Sequence, residues 1–360
     1  MTGTPLLAGT PAAVAVIGTA VGSSLIAADA VRVSRRRGMV IGYATGAVGA
    51  TIASIATSIG MLSLLLGGLF LLGFGQAASQ LARYAAAETA HSTKRASAVA
   101  IIVWAGTIGA VAGPSLLDPA GAIAADWGRA TYLGGYLVAA VFMATAFILQ
   151  FLAFHPPGPA QVSPTQARSS WANTARGLRD PRIQVGLVLL AFGQVVMVLI
   201  MTGTPIHIED AGLGLDVVGF VISAHTFGMF AFSPLTGRLV DRVGPWRILA
   251  AGVTVLGISA VISASAPADR TWQLTFGLLL LGIGWNLGFV AGSYVMSTYG
   301  TPQLQGFVDS TVWIASATAA LSSGVLLQYV GYPALSLAGL GLLVIPAAVL
   351  VTRRRAAVAI

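Results

Sequence analysis

Residues 61–82 read MLSLLLGGLFLLGFGQAASQLA, an apolar run without a single charged side chain. A helix rises 1.5 Å per residue, so about 20 such residues cross the hydrocarbon core of a bilayer. The preceding run, residues 39–58, reads MVIGYATGAVGATIASIATS and has the same character. Backbone polar groups must be paired within hydrocarbon, and short alternating strands of a barrel are absent from these runs. The two runs therefore predict an antiparallel hairpin of membrane-spanning helices.

The rest of the chain continues this pattern. Of 360 residues, 56% are hydrophobic and only 8% are charged, whereas a soluble domain carries about 25% charged residues. We therefore predict an all-α integral membrane protein with about eleven transmembrane helices. The predicted spans are 9–27, 39–58, 61–82, 97–116, 131–153, 184–204, 217–236, 247–266, 273–296, 307–329 and 332–351.

Basic residues collect on one side of this topology. When the gaps between spans are numbered alternately, beginning outside, only Arg129 and Arg270 of the 19 Lys and Arg residues fall on the outer side. Loops rich in Lys and Arg stay on the cytoplasmic side, so the pattern predicts a multi-pass protein of the bacterial inner (plasma) membrane. Because the basic residues lie in short loops between apolar runs, the net charge of +8 does not predict a nucleic-acid partner.

A polar, proline-rich stretch divides the chain. Residues 155–183 predict a cytoplasmic linker between an N-terminal bundle of five spans, 1–154, and a C-terminal bundle of six spans, 184–360. The halves resemble each other at an offset of about 209–210 residues, since LGFG at 72–75 matches LGIG at 281–284. We therefore expect two parallel, pseudo-repeated bundles.

A loop in the second half carries the most specific resemblance. Residues 237–247, GRLVDRVGPWR, resemble the signature loop of the major facilitator superfamily of transporters. A glycine permits close helix approach, and an aspartate can accept charge-assisted hydrogen bonds from arginines or from a helix N-terminus. An ordinary basic loop that sets topology is the alternative. The resemblance implies a gating role for Gly237, Asp241, Arg242, Gly244 and Arg247.

The fourth predicted span carries a second resemblance. Residues 106–114, GTIGAVAGP, are similar to a glycine–proline motif of family members that export a substrate in exchange for protons. The matching positions are Gly109, Gly113 and Pro114. The residues that follow are Ser-Leu-Leu instead of further glycines, so generic packing of small residues remains an alternative.

The chain departs from the family pattern in two places. The first-half copy of the loop, residues 27–32, lacks the glycine and has Val31 at the expected aspartate, with Asp29 two residues earlier. The counterpart of span 184–204 would precede Met1. We therefore expect the family's first helix to be absent, giving five plus six spans instead of six plus six, and we favour a mis-assigned start or a truncation over a native eleven-helix protein.

Ionisable side chains inside a span are candidates for function, because a charge at the bilayer centre costs roughly 2.5–3.5 kcal/mol. His225 lies near the middle of the seventh span and can change charge near neutral pH. It is a candidate for proton coupling, and a neutral, hydrogen-bonded histidine is the alternative. Asp309, near the start of the tenth span, fits charge complementarity at a helix N-terminus better than a coupling role.

The resemblance places the substrate cavity on the first and fourth helices of each half. In this chain those helices carry Gln76, Gln194, Trp285 and Asn286, whose amides and indole can orient a substrate by hydrogen bonds and stacking. Hydrogen bonding between helices is the alternative role for each amide. No acid or arginine lies at depth on these helices, which favours a neutral or amphipathic substrate. The arginine usual on the family's fourth helix is missing from 61–82.

These features together predict secondary active transport by alternating access, most simply proton-linked efflux of a small, largely apolar solute. Nutrient uptake or facilitated diffusion, and a truncated, non-transporting scaffold or sensor, remain alternatives. The chain has no cysteine and no metal-ligand or phosphate-loop spacing, so we predict no enzyme activity, no cofactor and no metal. The expected partners are a small-molecule substrate, protons as the coupling ion and the lipid bilayer, and we expect a monomer.

Overall fold

A computed structural model describes residues 10–153 and 171–358, and within these ranges every regular element is helical. The proline-rich part of the predicted linker, 155–170, lies outside the described residues. A short 3₁₀ turn, Ser92–Lys94, precedes α4. The helices are α1 Thr10–Arg32, α2 Arg35–Ile59, α3 Leu62–Thr89, α4 Arg95–Asp126, α5 Leu133–Ala153, α6 Trp171–Gly177, α7 Pro181–Asp210, α8 Leu215–Phe230, α9 Ser233–Val243, α10 Pro245–Ala264, α11 Thr271–Tyr299, α12 Pro302–Leu342 and α13 Val344–Val358.

The predicted fold class is confirmed. Nine segments of the described chain are long and apolar enough to cross a membrane, or ten when the two parts of α4 count as one span. One of these segments, Pro302–Arg353, has 52 residues, and at 1.5 Å per residue it would reach more than twice the thickness of the hydrocarbon core if it were straight. It is broken at Gly331, whose φ is 75°, so it contains both of the last two predicted spans.

The helix surfaces carry large apolar side chains. Val141 on α5 is 65% exposed and Leu321 on α12 is 66% exposed. No residue in the most apolar stretch of α5 is buried inside the protein. A water-soluble protein does not present apolar surface of this extent, so lipid covers these faces.

The chain packs into two compact units. Unit 1 contains Met1–Ala85, Gly109–Thr174 and Thr301–Ile314, and unit 2 contains Ala86–Ile108, Ala175–Gly300 and Ala315–Ile360. Each unit thus includes a segment from the other half of the sequence. Within unit 1 the hairpin of α2 and α3 buries Ala53, Ala56, Leu65 and Leu69 in one apolar cluster, as its short connection predicts.

The internal repeat is visible in helix packing. A Cβ atom on Gly73 of α3 would overlap the carbonyl oxygen of Ala15 and the amide nitrogen of Thr19 on α1. A Cβ atom on Gly282 of α11 would in the same way overlap the carbonyl oxygen of His225 and the amide nitrogen of Met229 on α8. The two glycines are 209 residues apart and their contact partners are 210 residues apart, so both units pack this helix pair in nearly the same register.

The helix that opens the second half, α7, has a well-formed N-terminus. Asp180 is its N-cap, and Pro181 follows at the first helical position, where a missing N–H costs nothing. The carboxylate of Asp180 accepts hydrogen bonds from the side chain of Arg182 at 2.9 and 3.1 Å and from its backbone N–H at 2.8 Å. The side-chain bond from Arg182 in particular holds the pKa of Asp180 below its usual range.

Candidate transport site and gating contacts

An aromatic and amide cluster in unit 2 joins α7 to α11. The indole Nε1 of Trp285 donates to Gln194 Oε1 at 2.8 Å, and Gln194 Nε2 donates to Ser316 Oγ at 3.3 Å. The Trp285 ring stacks on Phe289, one turn further along α11, with ring centres 4.4 Å apart. A narrow, largely apolar pocket is lined by Gln194, Trp285 and Phe289 together with Gly193. Two predicted cavity residues therefore lie together beside open space.

Asn286 has a different environment from its neighbour Trp285. Its side chain is fully buried. Its Oδ1 accepts from Thr236 Oγ1 at 2.6 Å, and its Nδ2 donates to Ser233 Oγ and to the carbonyl of Met229, both at 2.6 Å. The amide thus joins α11 to α8 and α9, which favours the helix-bonding alternative for this residue.

Gln76 is exposed near the middle of α3 in unit 1, and Ser79, one turn later, is exposed beside it. Ser79 also hydrogen-bonds the hydroxyl of Tyr43 on α2. Exposed polar side chains in the middle of a transmembrane helix indicate a face that water reaches, because lipid cannot hydrogen-bond them. Gln76 therefore satisfies the geometric requirement for a residue lining a polar cavity.

His225 is completely buried in α8. Its Nδ1 lies 3.0 Å from the carbonyl oxygen of Leu278 on α11, and its Nε2 has no hydrogen-bond partner among the described residues. A bond from Nδ1–H to the carbonyl leaves the lone pair on Nε2. The imidazole therefore bridges two helices and keeps one nitrogen that is chemically able to accept a proton.

The signature loop forms a helix-capping contact within unit 2. Asp241, near the end of α9, accepts from the backbone N–H of Ala96 at 3.1 Å and from the backbone N–H and hydroxyl of Ser97 at 3.0 and 2.5 Å. These donors lie in the first turn of α4, where N–H groups have no partner within the helix and the helix dipole favours negative charge. Of the two predicted kinds of donor, the helix N-terminus is the one observed.

The glycines of the loop have separate roles. A Cβ atom on Gly237 would lie 2.5 Å from the Cβ of Ala100 and 2.9 Å from the carbonyl oxygen of Ala96, so α9 touches α4 directly. Gly244, with φ 85°, ends α9 in a backbone conformation that side chains rarely adopt. Arg242 and Arg247 are exposed.

The exporter-like glycines make no close contact in this conformation. A Cβ atom on Gly109 or on Gly113 would meet no described atom within 4 Å, so neither glycine packs closely against another described helix. Pro114 lies within α4, and its side chain is outside the described residues.

One charged cluster in unit 1 was missed by sequence reasoning. Arg83 Nη2 donates to Asp309 Oδ1 at 2.6 Å, and the hydroxyl of Tyr84 donates to the same oxygen at 3.0 Å. The two charged side chains are 3% and 2% exposed. Arg83 falls just outside predicted span 61–82, in a gap on the cytoplasmic side. No helix breaker occurs between Leu81 and Thr89, and this is the signal that α3 continues.

The family model described as Major Facilitator Superfamily matches residues 2–308 and 201–359. The chain belongs to the Major Facilitator Superfamily. The uncharacterized transporter YddS of Bacillus subtilis is 34% identical over 98% of this chain and 84% of its own length. The riboflavin transporter RfnT of Brucella anthropi is 26% identical over 91% of this chain and 82% of its own length. The chain is thus a multi-pass membrane protein, and its relatives indicate secondary transport of a small solute.

Solved structures show the same major facilitator fold. The fucose transporter FucP of this superfamily, in its outward conformation, matches with a TM-score of 0.74 at 17% identity, over 98% of this chain and 90% of that one. The proton:xylose symporter XylE matches with a TM-score of 0.72 at 15% identity, over 93% and 84% of the two chains. At these identities the likeness concerns the fold alone.

The departure in the first-half copy of the family loop can now be placed. Val31 stands where the second half has Asp241, and Asp29 pairs instead with Arg37, at 3.8 Å. Asp29 therefore bonds within its own loop region in this conformation.

Proposed function

We propose that this major facilitator protein exports a small, neutral or amphipathic solute across the bacterial inner membrane in exchange for protons, by alternating access. The main support is the polarity of the candidate cavity helices. Gln76 exposes an amide near the middle of α3, and the bonded pair of Gln194 and Trp285 lies beside a pocket near the middle of α7 and α11, with no ionised side chain next to either. A charged solute would find no countercharge beside these residues, and desolvating it would be costly.

Proton linkage is assigned to His225. Its imidazole has a buried nitrogen without a hydrogen-bond partner in the described part of the chain, and the exporter-like glycine–proline motif supports exchange against protons. A proton on Nε2 would place an uncompensated charge inside the packed α8–α11 contact. The protonated and the neutral imidazole would therefore favour different conformations of the protein.

The proposal is tested in inside-out vesicles with an imposed proton gradient and a panel of labelled neutral and amphipathic solutes. We expect gradient-driven accumulation that a protonophore abolishes. His225→Gln should remove the dependence on the gradient, while His91→Gln, which changes an exposed histidine outside the spans, should retain it. Accumulation that persists in the presence of the protonophore would refute proton-linked export. So would accumulation by the His225→Gln protein that still depends on the proton gradient.

A second candidate follows from one comparison. The similarity to the riboflavin transporter RfnT over 91% of this chain, and the stacked Trp285–Phe289 pair beside the pocket, favour a planar heteroaromatic solute. Riboflavin belongs in the panel for this reason. Rapid counterflow of labelled riboflavin without a proton gradient would support facilitated transport over proton-linked export.

A further inference from the structure

The Asp241 contact has a counterpart position in the first half of the chain. The repeat offset of 210 relates Asp241 to Val31 and Gly237 to Ala27. It likewise relates Ala96, in the first turn of α4, to Gly306, in the second turn of α12. In unit 2 the loop helix α9 contacts α4 at Ser97, so the repeat predicts that α1 contacts α12 near Gly306.

That contact is present in unit 1, but the glycine lies on α12, whereas in unit 2 it lies on α9. A Cβ atom on Gly306 of α12 would overlap the Cβ of Ala27 and lie 2.7 Å from the carbonyl oxygen of Ser23, both on α1. In unit 2 the loop helix supplies the glycine and α4 supplies the larger residue. In unit 1 α12 supplies the glycine and α1, the counterpart of α9, supplies Ala27. Close approach is preserved by a different pair of residues.

The carboxylate has also changed helix. The loop position holds Val31, while α12 carries Asp309, which is bound by Arg83 and Tyr84 of α3. Within unit 1, further bonds join the same first turns of α12 to α1 and α2. Ser310 Oγ donates to the carbonyl of Ala20 at 2.6 Å, and Arg35 donates to Gln305 at 2.9 Å.

The two members of the ion pair differ in how many other hydrogen-bond partners they have. Arg83 also donates to the carbonyl and side-chain oxygens of Gln80 and to the hydroxyl of Tyr84 on its own helix, and its guanidinium lies 4.3 Å from the centre of the Tyr84 ring. The bonds to Asp309 given above come from α3, and its Oδ2 is buried without a hydrogen-bond partner among the described residues. If α12 leaves α3, the arginine keeps partners and the carboxylate loses them.

Buried ion pairs are weak evidence for stability, and their best-attested use is to fix one of several arrangements. We propose that Arg83, Tyr84 and Asp309 form a latch that replaces the missing first-half counterpart of Asp241, with the carboxylate moved from the loop helix to α12. The latch holds the first turns of α12 against α1 and α3 and releases when these helix ends separate during transport. This inference rests on the alternating-access cycle of the proposed function.

The charged groups around Asp309 limit what else could hold it. Arg83 and Tyr84 face it from α3, while Arg35 on α2 is bonded to Gln305, one turn earlier on α12. Asp29 on α1 is paired with Arg37. Among the described residues, Arg83 is thus the one charged side chain in direct contact with the carboxylate of Asp309, and removing the charge of this pair should release the latch.

The test uses accessibility and needs no substrate. The chain has no cysteine, so Ser23→Cys places a single thiol at a position that is fully buried next to Gly306. Its reaction with a membrane-impermeant maleimide is followed in inside-out vesicles. Adding Asp309→Asn should raise the initial labelling rate at least about tenfold. Removing one partner of a buried ion pair destabilises the arrangement that the pair holds by enough to cause such a change. The charge-reversed pair Arg83→Asp with Asp309→Arg should bring the rate back toward the starting value.

Asp29→Asn is the matched control, because it removes the same charge from a partly exposed aspartate in the same unit. When it is combined with Ser23→Cys, the labelling rate should stay within about twofold of the rate for Ser23→Cys alone. An unchanged rate in Asp309→Asn, or no recovery in the charge-reversed pair, would overturn the latch. Should Asp309→Asn fail to reach the membrane, Tyr84→Phe, which removes one of the two donors, should raise the rate about threefold, and no rise would count against the proposal. Failure of the proposed function would appear separately, as absent transport with the labelling differences intact.

Discussion

Adjacent polar residues on one transmembrane helix can serve different purposes, and Trp285 and Asn286 illustrate this. Both lie on α11, but successive residues point about 100° apart around a helix. Trp285 faces the pocket beside Gln194, whereas Asn286 faces α8 and α9, where both of its amide hydrogens and its oxygen are hydrogen-bonded. Residue type and depth predicted both as cavity candidates. Only the partners on other helices, 50 or more residues earlier in the chain, distinguish them.

Asn286 and Gln76 should therefore respond differently to truncation. Asn286→Ala leaves Thr236 and Ser233 without their buried partner, so we expect a loss of about 1–3 kcal/mol in stability and a lower thermal midpoint in detergent. Gln76→Ala removes an exposed amide and should leave the midpoint unchanged. It should raise the KM for transport by about two- to tenfold, the value of one hydrogen bond. A stable Asn286→Ala protein with a raised KM would contradict this division.

At the level of helices, the contact of Gly282 with α8 depends on the absence of a side chain. In Gly282→Ala the new methyl group would overlap the carbonyl oxygen of His225, and backbone atoms cannot move aside as a flexible side chain can. We expect a loss of about 1–3 kcal/mol, measured as a lower midpoint of thermal unfolding followed by tryptophan fluorescence. Gly288→Ala on the same helix is the control, because a Cβ there meets nothing within 4 Å. Equal stability of the two variants would show that α8 and α11 can separate without cost.

How far each helix could be predicted depended on local signals. Hydropathy located a helix for every predicted span, because the bilayer requires long apolar runs. The predicted span ends at residue 82, just before the charged Arg83, and α3 extends beyond it. The alanines after Arg83 are strong helix formers, and the helix continues to Thr89. Arg83 can be buried there only because Asp309, 226 residues later, neutralises it, and no local pattern contains that information.

For the whole molecule, the repeat was both the most useful prediction and an incomplete one. The offset of 209–210 residues predicted equivalent helices, and the glycine contacts of Gly73 and Gly282 follow it. Alignment of the two loops also located the missing aspartate at Val31. It could not indicate the compensating residues Gly306 and Asp309, because they lie on the other side of the contact. Sequence comparison within a repeat detects a lost residue more readily than its replacement from a different helix.

The same repeat makes a prediction about membrane sidedness. Parallel bundles place equivalent loops on the same face, and the basic residues favour the cytoplasmic face for the loops at 32–37 and 238–247. Single cysteines at Val33 and Val243, which are exposed and 210 residues apart, should therefore react with an impermeant maleimide in inside-out vesicles. Cysteines at the exposed positions Ala125 and Ser265 should react only in right-side-out vesicles.

The sidedness experiment distinguishes the two arguments on which the topology depends. If Val33 and Val243 react from opposite faces, the two halves are inverted and the repeat is not parallel. If both react from outside, the halves remain parallel but the arginine-rich loops have been translocated, against the strong retention of basic residues. Reaction of both from the cytoplasmic face would place Arg83 and Asp309 near that same side, because each lies within the last or first two turns of its helix. The latch would then be positioned to control access from the cytoplasm.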